Sequence, residues 1–261
     1  MSKKIILLAG PTASGKSKLA INLAKKLNGE IINADSMQVY KEFSILSSRP
    51  NKFEIKKIKH HLYGIVSVKK YFSAGDWLKE VKKKVTNCFK RNKTPIIVGG
   101  TGLYFNMITK GISKIPDIDI KTRNKVRVLY RKLGSKKFYE KLLELDPKVE
   151  DKINPNDSQR MQRAYEVKLT TKKSLYDWFV KTKSDFLEYD LIKIFIDIPR
   201  TDLLQKISKR TELMFKANCL EEVKKFNSLK LCKNLSANKL IGVQEINQLI
   251  KANITLNECK D

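Results

Sequence analysis

No run of apolar residues approaches the ~20 that a bilayer-crossing helix needs, and Lys3-Lys4-Ile5 to Ala9 is too short for a signal-peptide core. A cytoplasmic location is the expectation. Cysteine is sparse as well. Cys88, Cys219, Cys232 and Cys259 stand far apart, with neither the paired spacing of a zinc site nor that of a disulfide framework. They are expected to be reduced and idle. The 11 glycines and 7 prolines are too few for collagen-like or low-complexity sequence. Arginine is also scarce, at nine of the 54 basic residues.

Positive charge is abundant. Against 54 Lys and Arg stand 27 Asp and Glu, a net charge of +27 that attracts polyanions and makes nucleic acid the first partner to consider. The competing reading is compositional. Most of the charge is lysine among many Ile and Asn, and lysine-rich solvated faces are common, whereas arginine is the better phosphate fork. The 261 residues, 41% of them hydrophobic, suffice for one large domain or a domain carrying an insertion, with a substantial core.

Ile5-Ile6-Leu7-Leu8-Ala9 is a short apolar run ending at Gly10, and Leu19, Ala20, Leu23, Ala24 and Leu27 then follow helical spacing. The pattern is strand, glycine loop, helix. Further strands are expected at Glu30 to Ala34, Leu62 to Val66, Pro95 to Val98 and Leu191 to Ile198, with Trp77, Val81, Val85 and Phe89 marking a helix between them. Such alternation implies a parallel α/β sheet. From Lys114 to Asp185 strand signals stop and Lys/Arg-rich helical patterns follow, broken at Asp146-Pro147 and Asn154-Pro155. The expected domains are an α/β core, residues 1–113 and 186–261, and a helical insertion, 114–185. In the helical remainder, Leu203, Leu204, Ile207, Thr211 and Met214 are expected to share one face.

Gly10-Pro11-Thr12-Ala13-Ser14-Gly15-Lys16-Ser17 has the phosphate-loop pattern G-x-x-x-x-G-K-[ST], in the strand-to-helix context that this motif requires. Backbone N–H groups at a helix start cradle a di- or triphosphate, Lys16 neutralises it, and Ser17 can ligate Mg²⁺. Whether the phosphate is transferred, hydrolysed or simply leaves is not encoded in the loop. Asp35, in Asn33-Ala34-Asp35-Ser36-Met37-Gln38, falls at the carboxyl end of the second strand, where α/β proteins place ligands. It suits a general base or a metal ligand, and equally a turn cap. Val98-Gly99-Gly100-Thr101-Gly102-Leu103-Tyr104 repeats that layout, with the Thr101 hydroxyl aimed at the cleft.

Adjacent His60 and His61 have diverging side chains, which favours a structural or surface role over a metal site. On a helical stretch, Arg160 and Arg163 of Gln159-Arg160-Met161-Gln162-Arg163 share a face. That face is either solvated or able to read bases and phosphates. Arg210 lies on the helix after the last strand, within reach of a phosphate cleft or simply on the surface.

Together GPTASGKS (10–17), DSMQVY (35–40), GGTGLY (99–104), NDSQRMQRAYEV (156–167) and RTELMFKANCLEEV (210–223) resemble the tRNA dimethylallyltransferases, in order and over almost the whole chain. The resemblance implies a P-loop NTPase-like core with a parallel sheet flanked by helices, and an all-helical insertion that grips the anticodon stem-loop of tRNA. It implies transfer of a dimethylallyl group from dimethylallyl diphosphate to N6 of adenosine 37 with release of diphosphate, by a cytoplasmic monomer using Mg²⁺. Asp35 matches the family's base. Lys16, Arg210 and Mg²⁺ held through Ser17 would stabilise the departing diphosphate, with Thr101 placing adenine or diphosphate. Residues 10–17 correspond to the diphosphate site, also a nucleotide- or ATP-binding signature. Asp35, Ser36, Met37, Gln38 and Thr101, with Arg123, Gln159, Arg160, Met161, Gln162 and Arg163 from the insertion, correspond to tRNA contacts.

Two departures from the family pattern are local, and a larger one is expected at the chain end, where the further helix and Arg/Lys-rich segment with which the family holds RNA are missing from the resemblance. Leu46-Ser47-Ser48-Arg49-Pro50 replaces Gly-Thr-Ala-Lys-Pro, and Val243-Gln244 replaces Tyr-Lys or Tyr-Arg after Gly242. Thr255-Leu256-Asn257-Glu258 has the S/T-x-x-E form of a helix-opening capping box, with only three residues after it. The expectation is a helix that begins just before the chain stops, an intact chemical centre and weakened hold on RNA. Alternative readings are a P-loop small-molecule kinase, prenyl transfer to free AMP or ATP, and an RNA-binding form with little turnover.

Overall fold

In β1 (Lys4–Ala9), Ile5 and Leu7 pack into one core cluster and Ile6 and Leu8 into another, because successive side chains of a strand point to opposite faces. A strand buried on both sides needs helices above and below it. The first is α1 (Lys16–Lys26), whose Ala20 and Ala24 cover Ile6 and Leu8. After β2 (Gly29–Asn33), α2 (Lys52–Lys57) and β3 (His60–His61), α3 (Ala74–Lys90) covers the opposite face. The expected Trp77, Val81 and Val85 are its buried stripe, while Phe89 packs at the margin against Tyr189. A reciprocal capping box between Ser73 and Asp76 opens α3.

β4 (Thr94–Gly99) leads into α4 (Gly102–Thr109), and β5 (Asp190–Phe195) completes a fully parallel sheet of order β3-β2-β4-β1-β5. The computed structural model describes residues 3–179, 182–231 and 235–260, so Cys232 lies outside the described residues. Cys88, Cys219 and Cys259 are free thiols in buried positions.

The third strand differs from expectation. It is His60–His61, and the apolar stretch Leu62 to Val66 that follows is not a strand. Leu62 (φ 66°) and Gly64 (φ 58°) adopt left-handed backbone, which ends extended pairing, and Val66 keeps one isolated bridge to Tyr40. Leu62 and Val66 are buried all the same, so the apolar pattern correctly marked burial but not conformation.

The chain divides into two compact units, Met1–Thr109 with Phe186–Asp261, and Lys110–Asp185. The second consists of α5 (Ile120–Leu145), α6 (Ser158–Thr171) and α7 (Leu175–Phe179) around Phe138, Leu142, Met161, Ala164 and Val167. Gly134, at φ 72° and ψ 177°, kinks α5. Its incoming and outgoing segments touch: a Cβ on Gly111 would stand 2.2 Å from the Lys183 carbonyl oxygen, and the hydroxyls of Ser113 and Thr182 are 2.9 Å apart.

In the first unit, α8 (Arg200–Lys216), α9 (Cys219–Ser228), α10 (Val243–Ile250) and α11 (Leu256–Lys260) follow β5. Leu203, Ile207, Thr211 and Met214 lie half-buried on α8, whereas Leu204 is 55% exposed, off the face expected for it. Val223, Phe226, Val243, Ile246 and Cys259 pack with Val39 to Leu46 into a separate core. Thr255 and Glu258 do form the capping box, the Glu258 N–H donating to the Thr255 hydroxyl at 3.3 Å and the Thr255 N–H to the carboxylate at 2.7 Å.

A buried ion-pair network pins the β3 edge. Glu30, 4% exposed, accepts from His61 Nε2 at 2.6 Å and from both terminal nitrogens of Arg91. Glu30, His61 and Cys88 offer donor atoms within 4.8 Å of one another. The Arg91 guanidinium already supplies the positive charge there, so the cluster reads as structural. His60 turns away, its Nδ1 2.7 Å from the Ile58 carbonyl. Burial alone would raise the Glu30 carboxyl, but the hydrogen bonds from Arg91 and His61 outweigh it and hold the group at about 2. Burial lowers His61 below its usual 6.5. Both shifts make acid destabilising: His61 resists the proton that the unfolded chain takes up below 6.5, and the Glu30 contribution is lost from 4.5 down through about 2. Arg91→Ala should destabilise the fold by leaving the buried Glu30 carboxylate short of its cation. Urea denaturation at pH 7 checks this, and an unchanged midpoint would contradict it.

Candidate active site

The turn after β1 reaches helix α1 through Gly15, whose φ of 87° is open to glycine at little cost. The first N–H groups of α1 lack intrahelical acceptors. Lys16 Nζ donates to the carbonyls of Gly10, at 2.8 Å, and Pro11, and reaches Ser14 Oγ at 3.4 Å. Ser14 is buried, Thr12 and Ser17 are exposed, and Pro11 and Ala13 are intermediate.

Beside this loop the end of β2 is locked by Asn33, fully buried. Its Oδ1 accepts the Asp35 N–H at 2.8 Å, and its Nδ2 donates to the carbonyls of Asp35 at 2.9 Å and Leu62 at 3.2 Å. The Asn33 carbonyl in turn accepts the Trp77 indole N–H at 2.8 Å, and Trp77 stacks on Tyr104 at 3.8 Å. Asp35 Oδ1 caps its own turn, accepting from the N–H groups of Met37 at 2.9 Å and Gln38 at 3.4 Å. The cap and the cleft-facing carboxylate, alternatives at the level of sequence, coexist in one residue.

From β4, Thr101 donates its N–H to the Ala34 carbonyl at 3.2 Å, and its hydroxyl accepts the Ser36 N–H at 3.0 Å. This contact requires Gly99, since a Cβ there would meet the Ala34 carbonyl oxygen at 2.1 Å. Thr12, Asp35, Met37 and Arg210 share one cavity of about 500 Å³, whose apolar wall includes Ile207, Met214, Phe215 and Ile246. Arg210 Nε is buried without a hydrogen-bond partner among the described residues, and burial depresses the guanidinium pKa while Asp35 supports it. Lys16 is lowered to about 8, chiefly by burial, with Asp35 opposing and Arg210 adding to the shift.

Lys16, Asp35, Arg210 and Thr101 therefore gather at the carboxyl edge of the sheet. Gln38 Nε2 instead donates to the carbonyls of Ser47 at 2.8 Å and Ser48 at 3.2 Å. The remaining candidates belong to the helical unit. Arg160 is exposed and pairs with Asp157 at 3.2 Å, and Arg163 lies 3.7 Å from Glu166. Burial raises the Glu166 carboxyl, opposed by Arg163, Arg123 and Arg127. Gln159 is exposed and Gln162 half-buried, but Met161 is fully buried in the unit's core and presents no surface to RNA. Sequence reasoning missed the roles of Asn33, Trp77 and the apolar wall; a polar residue directly after Ile31-Ile32 at the strand end was the available signal for Asn33.

A lysine-bearing glycine loop at the carboxyl edge of a parallel sheet, faced by a carboxylate and a buried arginine, defines a phosphate-handling enzyme of the P-loop class. The IPP transferase family model matches residues 38–261, and the chain belongs to that family. It is 55% identical to a tRNA dimethylallyltransferase of Pelagibacter ubique, over 99% of this chain and 82% of that one. With a tRNA dimethylallyltransferase of Rickettsia felis it shares 40% identity over 98% and 83%. Among solved structures, a eukaryotic dimethylallyltransferase acting on tRNA superposes with TM-score 0.83 at 28% identity, over 99% of this chain and 65% of that one. The tRNA isopentenylpyrophosphate transferase of Bacillus halodurans gives 0.67 at 29%, over 100% and 81%. No helix among the described residues is long and apolar enough to cross a membrane.

The lysine shift has a measurable consequence. Only protonated Lys16 attracts an anion, so diphosphate affinity should fall as pH rises past about 8, by up to about tenfold per pH unit. Calorimetric titration of diphosphate between pH 7 and 9.5 measures this, and Lys16→Ala should bind weakly and lose that component of the pH dependence.

Proposed function

We propose that the chain transfers a dimethylallyl group from dimethylallyl diphosphate to N6 of adenosine 37 in tRNA, releasing diphosphate. The observation that carries this reading is Arg210, whose buried Nε has no hydrogen-bond partner among the described residues and whose side chain lines the same cavity as Asp35, with Lys16 close enough to feel its charge. An anion that brings its charge between Lys16 and Arg210 leaves its apolar end for the wall of Ile207, Met214 and Phe215.

The adenine amine is a weak nucleophile because its lone pair is delocalised into the ring. As nitrogen bonds to C1 of the allylic group, the C1–O bond breaks, its electron pair leaves with diphosphate, and the Asp35 carboxylate takes the amine proton. Lys16 and Arg210 stabilise charge on the leaving oxygen. Thr101 fixes the Ser36 end of the Asp35 turn. Ser17, exposed at the start of α1, suits Mg²⁺, which is usually held by one or two protein oxygens together with phosphate oxygens and water. When bound, the ion would add charge neutralisation at the leaving group. Adenosine 37 must leave its stack to reach the cavity, with Ser36, Met37 and Gln38 as its nearest contacts. Arg123, Gln159, Arg160, Gln162 and Arg163 would hold the anticodon stem-loop. We place this activity in the cytoplasm, carried out by a monomer.

Incubation with labelled dimethylallyl diphosphate, Mg²⁺ and an anticodon stem-loop should yield prenylated RNA and diphosphate. Release of ADP from ATP instead would indicate a kinase. Asp35→Asn should slow transfer by about 10²–10⁴ while RNA affinity stays within a few-fold, and wild-type turnover by this variant would remove the base assignment.

The paired substitution Arg160→Ala with Arg163→Ala should weaken stem-loop binding and flatten its salt dependence by up to about two phosphate contacts. Filter binding across a salt series measures this, and an unchanged slope would exclude these arginines from the grip.

A further inference from the structure

A second carboxylate is bound up with the site without entering its cavity. Glu222, near the start of α9, accepts hydrogen bonds from three consecutive backbone N–H groups: Ser44 at 2.6 Å and Ile45 at 2.9 Å on Oε1, and Leu46 at 3.0 Å on Oε2. The Ser44 hydroxyl donates as well, at 3.0 Å. A turn whose N–H groups converge in this way is an anion nest, and here the anion belongs to the chain itself. Charge-assisted bonds of this kind are roughly twice as strong as neutral ones.

The loop held in this way leads directly to the reaction centre. Leu46 and Ser47 line the cavity that contains Asp35 and Arg210. The carbonyls of Ser47 and Ser48 accept both Gln38 Nε2 contacts, and the Gln38 N–H reaches Asp35 Oδ1 at 3.4 Å. Hydrogen bonds at both ends of loop 44–48, connected through its backbone, thus link Glu222 to the carboxylate assigned as base. The packing of α9 does not depend on it, because Val223 and Phe226 bury the helix and Phe226 meets Phe43 with ring centroids 4.8 Å apart.

We propose that Glu222 is a positioning residue for prenyl transfer, fixing loop 44–48 so that Gln38 and the Asp35 turn are presented correctly to the acceptor base. This rests on the reading of the site as a tRNA prenyltransferase. Glu222→Gln keeps the shape but replaces one acceptor oxygen by a donor that opposes a backbone N–H. Kinetics with stem-loop RNA should then show kcat/KM for RNA reduced by about tenfold or more, the KM for dimethylallyl diphosphate within twofold, and an unchanged melting temperature. Gln38→Ala should give the same signature, and the double variant should fall well short of the product of the two effects, as expected for members of one network. Wild-type kinetics in Glu222→Gln, additive effects, or a loss that tracks reduced thermal stability would each overturn the proposal. Hydrogen exchange tests the link without turnover. The Ser44 to Leu46 and Gln38 amides should exchange faster in Glu222→Gln, on the order of tenfold, and equal protection would overturn it. An inactive wild type would refute the prenyltransferase reading, whereas exchange would still decide whether Glu222 holds the loop.

Discussion

The fully buried amide of Asn33 is the constraint on which the site depends. Its side chain closes a two-way bond with the Asp35 backbone and reaches Leu62, while its carbonyl holds the Trp77 indole. Strand, Asp35 turn, covering helix and the left-handed segment after β3 are thereby tied at one point. A buried amide left unpaired is costly, so these elements hold together or loosen together. Gly99 adds the second restraint, letting β4 lie against Ala34 closely enough for Thr101 to brace Ser36.

The phosphate loop and the parallel α/β class were legible in the sequence because each has a local signature: glycines at fixed offsets around a lysine, and apolar runs alternating with helical stripes. The carboxyl-edge position of Asp35 followed from the same logic. What could not be read was set by distant partners. Leu62 to Val66 has the composition of a strand, yet positive φ values at Leu62 and Gly64 end the extended backbone. Glu222 reads as an ordinary acidic residue in the first turn of a helix, and its real partners are some 176 to 178 positions away. Met161 shares a motif with Arg160 and Arg163, but helical geometry turns it inward.

The excess of lysine says little about where charge acts. Most lysines are exposed to solvent, where screening weakens them. Lys16 and Arg210 are different, because burial has already removed much of their hydration and an incoming anion meets cations that need it. In the helical unit, Glu166 stands among Arg163, Arg123 and Arg127 and offsets part of their field. Local placement, more than the total of +27, decides which anions are held and where.

The contact of Gly111 with the Lys183 carbonyl bears on how such a chain could arise and be altered. Because the helical unit begins and finishes at one point, its 76 residues span almost no distance between their ends. To the α/β core, that whole unit is equivalent to a tight loop between α4 and β5, and loop length weighs only logarithmically on closure entropy. The helical unit is in this sense an interchangeable cartridge: closure entropy lets it lengthen, shorten or be swapped for another with adjacent ends while the strands of the core keep their register.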